Sequence, residues 1–180
     1  MNTNKRGLSP VIATVLTIML TVAAVAALSA FIVPFVRNSL QKSSECIDYG
    51  DYYTFEESGY NCYSGNLYAF SIKTSFDKEL ANNTDGFKLI MTDKSGATKQ
   101  AEARNDAPAS EIFKVMGDLS GKLRIPRPGG VLTYIYSASD TDKFASAEVY
   151  PILKSGRICA DAKEMIKIVE CGAGREISGA

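Results

Sequence analysis

Leu8 to Val36 is a run of 29 residues without a charged side chain, preceded by Lys5 and Arg6 and followed by Arg37. Nothing else in the chain constrains the fold as strongly. As a helix rising about 1.5 Å per residue the run is roughly 44 Å long, against roughly 30 Å for a bilayer's hydrocarbon core. Fifteen of its residues are Leu, Ile, Val or Phe, and each favours the bilayer centre by about 0.3 to 0.6 kcal/mol. The apolar residues leave no polar face, which predicts apolar surroundings on every side, whether lipid or other helices. Lys5 and Arg6 keep the N-terminus inside, so the chain from about residue 40 onward is expected outside the cell.

Ser9 and Pro10 read as an N-cap followed by proline at the first helical position, so the helix is expected to start just after Gly7. Pro34 removes one backbone hydrogen bond and predicts a kink or a local end. Arg37 to Glu45 reads as an amphipathic continuation of a few turns. A secretory signal would have a shorter apolar region with an Ala-x-Ala-like cleavage site after it. Here the charged group sits directly before Gly7, and Lys5-Arg6-Gly7-Leu8-Ser9-Pro10-Val11-Ile12-Ala13-Thr14-Val15-Leu16 resembles the N-terminus of archaeal type IV pilin precursors.

That resemblance implies cleavage between Gly7 and Leu8 by a membrane prepilin peptidase on the cytoplasmic side. It divides the chain into a leader (1–7), an apolar helix (8–45) that anchors the precursor in the membrane and later forms a filament core, and an exterior domain (46–180). The implied partners are identical subunits in a helical filament, the peptidase, a cytoplasmic assembly ATPase and a membrane platform protein. Bacterial type IV pilins usually carry Glu at the fifth mature position, where this chain has Ile12, as is common in the archaeal branch. Ala23, Ala24, Ala26, Ala27 and Ala30 supply small-xxx-small pairs, Ala23 with Ala27 and Ala26 with Ala30, for close helix approach. The alternative reading is a single-pass protein whose helix only tethers an exterior binding module, or a minor pilin-like protein.

Lys plus Arg equals Asp plus Glu at 20 each, so there is no basic surplus to neutralise phosphates and no nucleic acid partner is expected. The chain has neither His nor Trp, which removes the commonest general base and the commonest metal ligand. Cys46, Cys62, Cys159 and Cys171 lack the Cys-x(2–4)-Cys spacing of structural zinc, so disulfides are expected in an exported chain. Three connectivities are possible; short loops favour Cys46 with Cys62 and Cys159 with Cys171. No metal site and no cofactor is expected.

Beyond residue 45, short runs of aromatic and β-branched residues alternate with turn residues, which predicts a sandwich or barrel of strands. The expected strands are Asn66 to Phe76, Phe87 to Thr92, Thr98 to Glu102, Glu111 to Val115, Lys122 to Ile125, Val131 to Ser137, Phe144 to Leu153 and Glu164 to Val169. Turns are expected between them, one at Asn82-Asn83. Tyr68, Phe70 and Ile72 alternate cleanly, as do Leu132, Tyr134 and Tyr136 apart from Ile135. The C-terminal pattern from Val149 through Cys159 to Cys171 resembles the ending of archaeal pilin β-domains, implying an immunoglobulin-like sandwich with its last hairpin stapled by a disulfide. The fold class is therefore α+β, a long apolar helix followed by a mainly β domain.

Six of the nine tyrosines lie between Tyr49 and Tyr68, mixed with Asp48, Asp51, Glu56 and Glu57. They read either as a loop whose rings cover the hairpin end of the sandwich and whose acids face water, or as an adhesive or subunit-contact surface. A calcium site among these acids lacks EF-hand spacing. Gly117 to Lys122 has too few residues between its glycines for a phosphate loop, and Ser75-Phe76-Asp77-Lys78 has no partner motif, so no catalytic residue and no enzymatic activity is expected. Asn82-Asn83-Thr84 is a glycosylation sequon, which makes Asn82 the expected modified residue.

Overall fold

The computed structural model describes residues 10–139, 143–172 and 177, with the backbone alone for Pro10 and for 38–44. Lys5, Arg6, Gly7, Leu8 and Ser9 lie outside the described residues. The chain divides into two units, 1–45 and 46–180. Helix α1 runs from Pro10 to Ile47, 38 residues, about 57 Å at the usual rise. It continues through Pro34. The ring removes one intrahelical bond there, and the turns on either side keep theirs, so the expected local end does not occur.

The second unit is a sandwich of two sheets. One holds β1 (Tyr53–Phe55), β2 (Asn61–Ser64), β3 (Leu67–Thr74), β6 (Phe113–Val115), β7 (Val131–Ser137) and β10 (Val169–Glu170), in the order β10-β2-β3-β7-β6 with β1 also against β3. The other holds β4 (Thr84–Asp93), β5 (Thr98–Arg104), β8 (Phe144–Leu153) and β9 (Glu164–Lys167), ordered β5-β4-β8-β9. All pairs are antiparallel except β10 with β2, which is parallel. The long helix and the mainly β domain with two sheets make the protein α+β, as its sequence predicts.

Alternation supplies the core. Phe70, Ile72 and Tyr134 of the first sheet share one buried cluster with Phe87, Leu89, Met91, Ala147 and Val149 of the second. Ile135, which breaks the β7 alternation, has its own partners: with Ala69 and Ile177 it forms a second small buried cluster. The opposite face of the first sheet is thus covered as well, so β7 is apolar on both sides where a one-sided strand would alternate.

Four expected elements differ. The expected strand Glu164 to Val169 breaks at Ile168, whose amide donates to Ala145 O, into β9 of the second sheet and β10 of the first. Asn82-Asn83 is the end of helix α2 (Lys78–Asn83), started by Asp77, whose carboxylate accepts from the Glu79 and Leu80 amides; an aspartate N-cap outweighs the turn preference of two asparagines. Lys122 to Ile125 forms no strand. Its groups pair instead with the 105–107 loop, the Leu123 amide donating to Ala107 O and the Ile125 amide to Asn105 Oδ1, and Pro126 follows at once. β1 and β2 lie within the tyrosine-rich stretch expected to be loop. They are three and four residues long, too short for alternation to stand out.

The disulfides join Cys46 to Cys159 and Cys62 to Cys171, which corrects the two local pairings and the stapled last hairpin. Topology decides it. Parallel pairing of β10 with β2 sets Val169 opposite Cys62 and brings Cys171 alongside, its amide donating to Tyr63 O. Cys159 is held beside β8 through its amide to Pro151 O, where Cys46 reaches it from the last turn of α1. Loop-closure entropy grows only logarithmically with loop length, so proximity in sequence is a weak guide against strand order. Sequence separations of 113 and 109 residues make each bridge a constraint on the whole domain.

Candidate functional site: the apolar helix

The helix is built to be covered by something. Val11–Arg37 has a mean hydropathy of 2.6, is long and apolar enough to cross a membrane, and has none of its length buried within the chain. Val22, Leu20, Phe31 and Phe35 are each more than 60 % exposed. Water around so continuous an apolar surface is strongly unfavourable, at about 25 cal/mol per Å² of apolar area. The only polar side chains described along its first half neutralise themselves. Thr14 Oγ1 donates to Val11 O, Thr17 Oγ1 to Ala13 O and Thr21 Oγ1 to Ile18 O, at 2.8 to 2.9 Å. Each hydroxyl then carries no unmet donor into an apolar medium. This role of the three threonines is not among the sequence expectations, although their spacing to carbonyls three or four residues back is visible in the chain.

Helical geometry places Ala23, Ala26, Ala27 and Ala30 within an arc of about 100°, with Ala24 off to one side. All five are exposed. A stripe of methyl groups lets another helix approach more closely than leucine would. The side of the helix that carries Thr14, Thr17 and Thr21 is different, so the surface has distinguishable faces although it has no polar one.

The β-domain places the remaining expected residues. Asn82 is exposed on the last turn of α2, open to solvent. Tyr49, Tyr52, Tyr53 and Tyr68 are buried. Successive rings from Tyr49 through Tyr52, Tyr53, Phe87 and Tyr134 to Phe113 lie 4.8 to 5.6 Å apart, an arrangement that stabilises beyond area burial. Burial pushes the Tyr53 and Tyr134 phenols up. Most of the tyrosine cluster is therefore core, and only Tyr60 and Tyr63 remain half-exposed. Asp48, Asp51 and Glu57 face water.

Glu164 Oε2 accepts the Phe55 amide at 2.7 Å, linking the two sheets. Burial, followed by the negative charges of Asp51 and Glu57, raises its carboxyl above the usual glutamate range. Glu148 sits lower than usual because Lys163 donates to one oxygen and the Tyr150 hydroxyl to the other. Among the described residues no group of three His, Cys, Asp or Glu side chains is arranged to hold a metal ion.

No family model and no curated protein matches the chain. Among solved structures, a chain of the archaellum periplasmic stator protein complex FlaF and FlaG from Sulfolobus acidocaldarius is similar over 64 % of this chain and 84 % of its own. The identity is 13 % and the TM-score 0.29. A score that low carries no argument about fold or function, which rest on the residues above.

Proposed function

We propose that this protein is the structural subunit of an archaeal type IV pilus-like surface filament, without enzymatic activity. The observation that carries the reading is the helix of Val11–Arg37, apolar all round and uncovered by its own chain, followed by a domain that closes its own core with two disulfides. In this reading a prepilin peptidase cuts between Gly7 and Leu8, the helix holds the precursor in the membrane with the β-domain outside, and an assembly ATPase and platform protein drive its transfer into a fibre. Lipid and neighbouring helices are equally apolar, so packing at Ala23, Ala26, Ala27 and Ala30 supplies selectivity, and energy input supplies extraction. Subunits related by a non-closing helical operation would bury their helices and present β-domains outward, where Asn82 carries a glycan. Adhesion to surfaces is the role such a fibre would serve.

N-terminal sequencing and electron microscopy of sheared surface material test this. The expected protein begins at Leu8, with 180 − 7 = 173 residues, and is the abundant component of thin fibres. An intact Met1, or a protein confined to the membrane fraction, would instead support a membrane-anchored exterior module.

A further inference from the structure

At the end of the sandwich away from Cys46, the first sheet carries a continuous row of residues in register. Glu170 pairs with Tyr63, Tyr63 with Tyr68, Tyr68 with Tyr136, and Tyr136 with Phe113, one residue from each of β10, β2, β3, β7 and β6. Partners directly across a ladder lie on the same face, so the row is one aromatic shelf that ends in a carboxylate. Phe144 wedges against it, its ring 5.1 Å from Tyr68 and 5.8 Å from Tyr136, while its amide donates to the Tyr68 hydroxyl at 3.1 Å. Tyr63 stacks on Tyr68 at 5.6 Å with 26° between the planes. Its backbone is pinned on one side by the neighbouring Cys62–Cys171 bridge and on the other by β3.

The outer half of this shelf is the floor of an open cleft of about 1090 Å³. Tyr63, Tyr68 and Phe144 line it together with Lys94, Lys143 and Glu170. The two lysines are exposed. Asp93 also borders the cleft, but one of its oxygens already accepts from the Ser95 amide, the Ser95 hydroxyl and the Ala97 amide. That carboxylate holds the β4–β5 turn and thereby positions Lys94 next to it. The cleft thus offers one half-exposed ring, Tyr63, backed by the buried rings of Tyr68 and Phe144, with two ammonium groups and one free carboxylate acceptor.

Each part selects against other ligands. A wholly apolar molecule would desolvate Lys94, Lys143 and Glu170 without pairing them. A bare phosphate would leave the aromatic floor unused, and no helix N-terminus lies among the described residues that line the cleft. A pyranose ring is flat and apolar on its C–H face and ringed by hydroxyls, which suits an aromatic shelf with a polar rim. We propose that this cleft binds an acidic saccharide, the ring lying on Tyr63, the sugar carboxylate between Lys94 and Lys143, and a hydroxyl donating to Glu170. The binding stands apart from the filament reading, because it uses the β-domain alone.

The test is titration of the full chain, in detergent micelles with both disulfides intact, with oligogalacturonate, neutral maltooligosaccharide of equal length and inorganic phosphate. Calorimetry gives the affinity, and the part of the emission of the nine tyrosines that is lost in Tyr63→Phe isolates the response of the floor. Saturable binding of oligogalacturonate is expected, at least tenfold tighter than the neutral chain. Tyr63→Ala and Lys94→Glu should each weaken it at least tenfold, while Tyr63→Phe, which keeps the ring, stays within threefold. Lys94 lies on an exposed turn, so its variant remains informative even if Tyr63→Ala misfolds. Absence of saturable binding, phosphate binding as tightly as the saccharide, or wild-type affinity in Lys94→Glu would each overturn the proposal.

Discussion

The helix and the β-domain solve opposite problems with the same kind of side chain. In the β-domain Phe70, Ile72, Phe87, Leu89 and Met91 are wholly inaccessible, each covered by a residue of the facing sheet. Along Val11–Arg37 none of the window is buried, and residues of the same types face outward all round. A domain that closes its own core needs no companion to fold. A helix that closes nothing needs a medium, and it is where association is encoded. The two units should therefore respond to different perturbations: charge in the helix should affect membrane residence and assembly, and cross-links or core changes in the domain should affect stability.

A charge in the helix should have the greatest consequence. Ala26→Lys puts an unpaired charge into an apolar core, at a cost of several kcal/mol, and should abolish fibres in electron micrographs while Asn83→Lys, on exposed α2, leaves them intact. Normal processing and abundant fibres from Ala26→Lys would remove the helix from the assembly mechanism.

Next is the domain's covalent frame. Chain-entropy reasoning gives about 4.7 kcal/mol for a bridge closing roughly 100 residues, against roughly 5 to 15 kcal/mol that separate a domain from unfolding. Replacing Cys46 and Cys159 together by Ser should lower the unfolding free energy from denaturant titration by an amount of that order. Non-reducing peptide maps should link Cys46 to Cys159 and Cys62 to Cys171; maps linking Cys46 to Cys62 would contradict the strand order of the first sheet.

The smallest effect is electrostatic. Glu164 has a raised pKa in the folded state, so its contribution to stability is fully present below the ordinary glutamate range and is lost as pH rises through the folded value. Glu164→Gln keeps an oxygen for the Phe55 amide and removes the charge facing Asp51 and Glu57. The variant should melt slightly higher than wild type at neutral pH and identically in acid. The gap is small because the carboxyl is only half-buried and solvent screens its neighbours. A gap that widens in acid would reverse the assignment.

How far the sequence disclosed this molecule follows the same division. The apolar run, the sandwich and the strands β7 and β8, with bounds matching those expected, were legible because length and alternation are local signals. The disulfide pairing was not legible, since Cys62 meets Cys171 only through parallel pairing of two residues at the edge of a sheet. The tyrosine stretch was half legible. Tyr53 and Phe55 alternate inward over only three residues, and nothing local separates Tyr52, which is core, from Tyr63, which lines the cleft. Asp77 as an N-cap was available in the chain, and it outweighed the turn signal of Asn82-Asn83. The shelf from Glu170 to Phe113 draws one residue from each of five strands, so only register reveals it.

The division of labour itself is tested most directly by producing residues 46–180 alone in an oxidising compartment, beside the full chain. The fragment is expected to be a soluble monomer with both disulfides formed, a single cooperative unfolding transition, and no partition into membranes or fibres, while the full chain is recovered with the membrane or in filaments. A fragment that fails to fold, or that still assembles or binds bilayers, would contradict it.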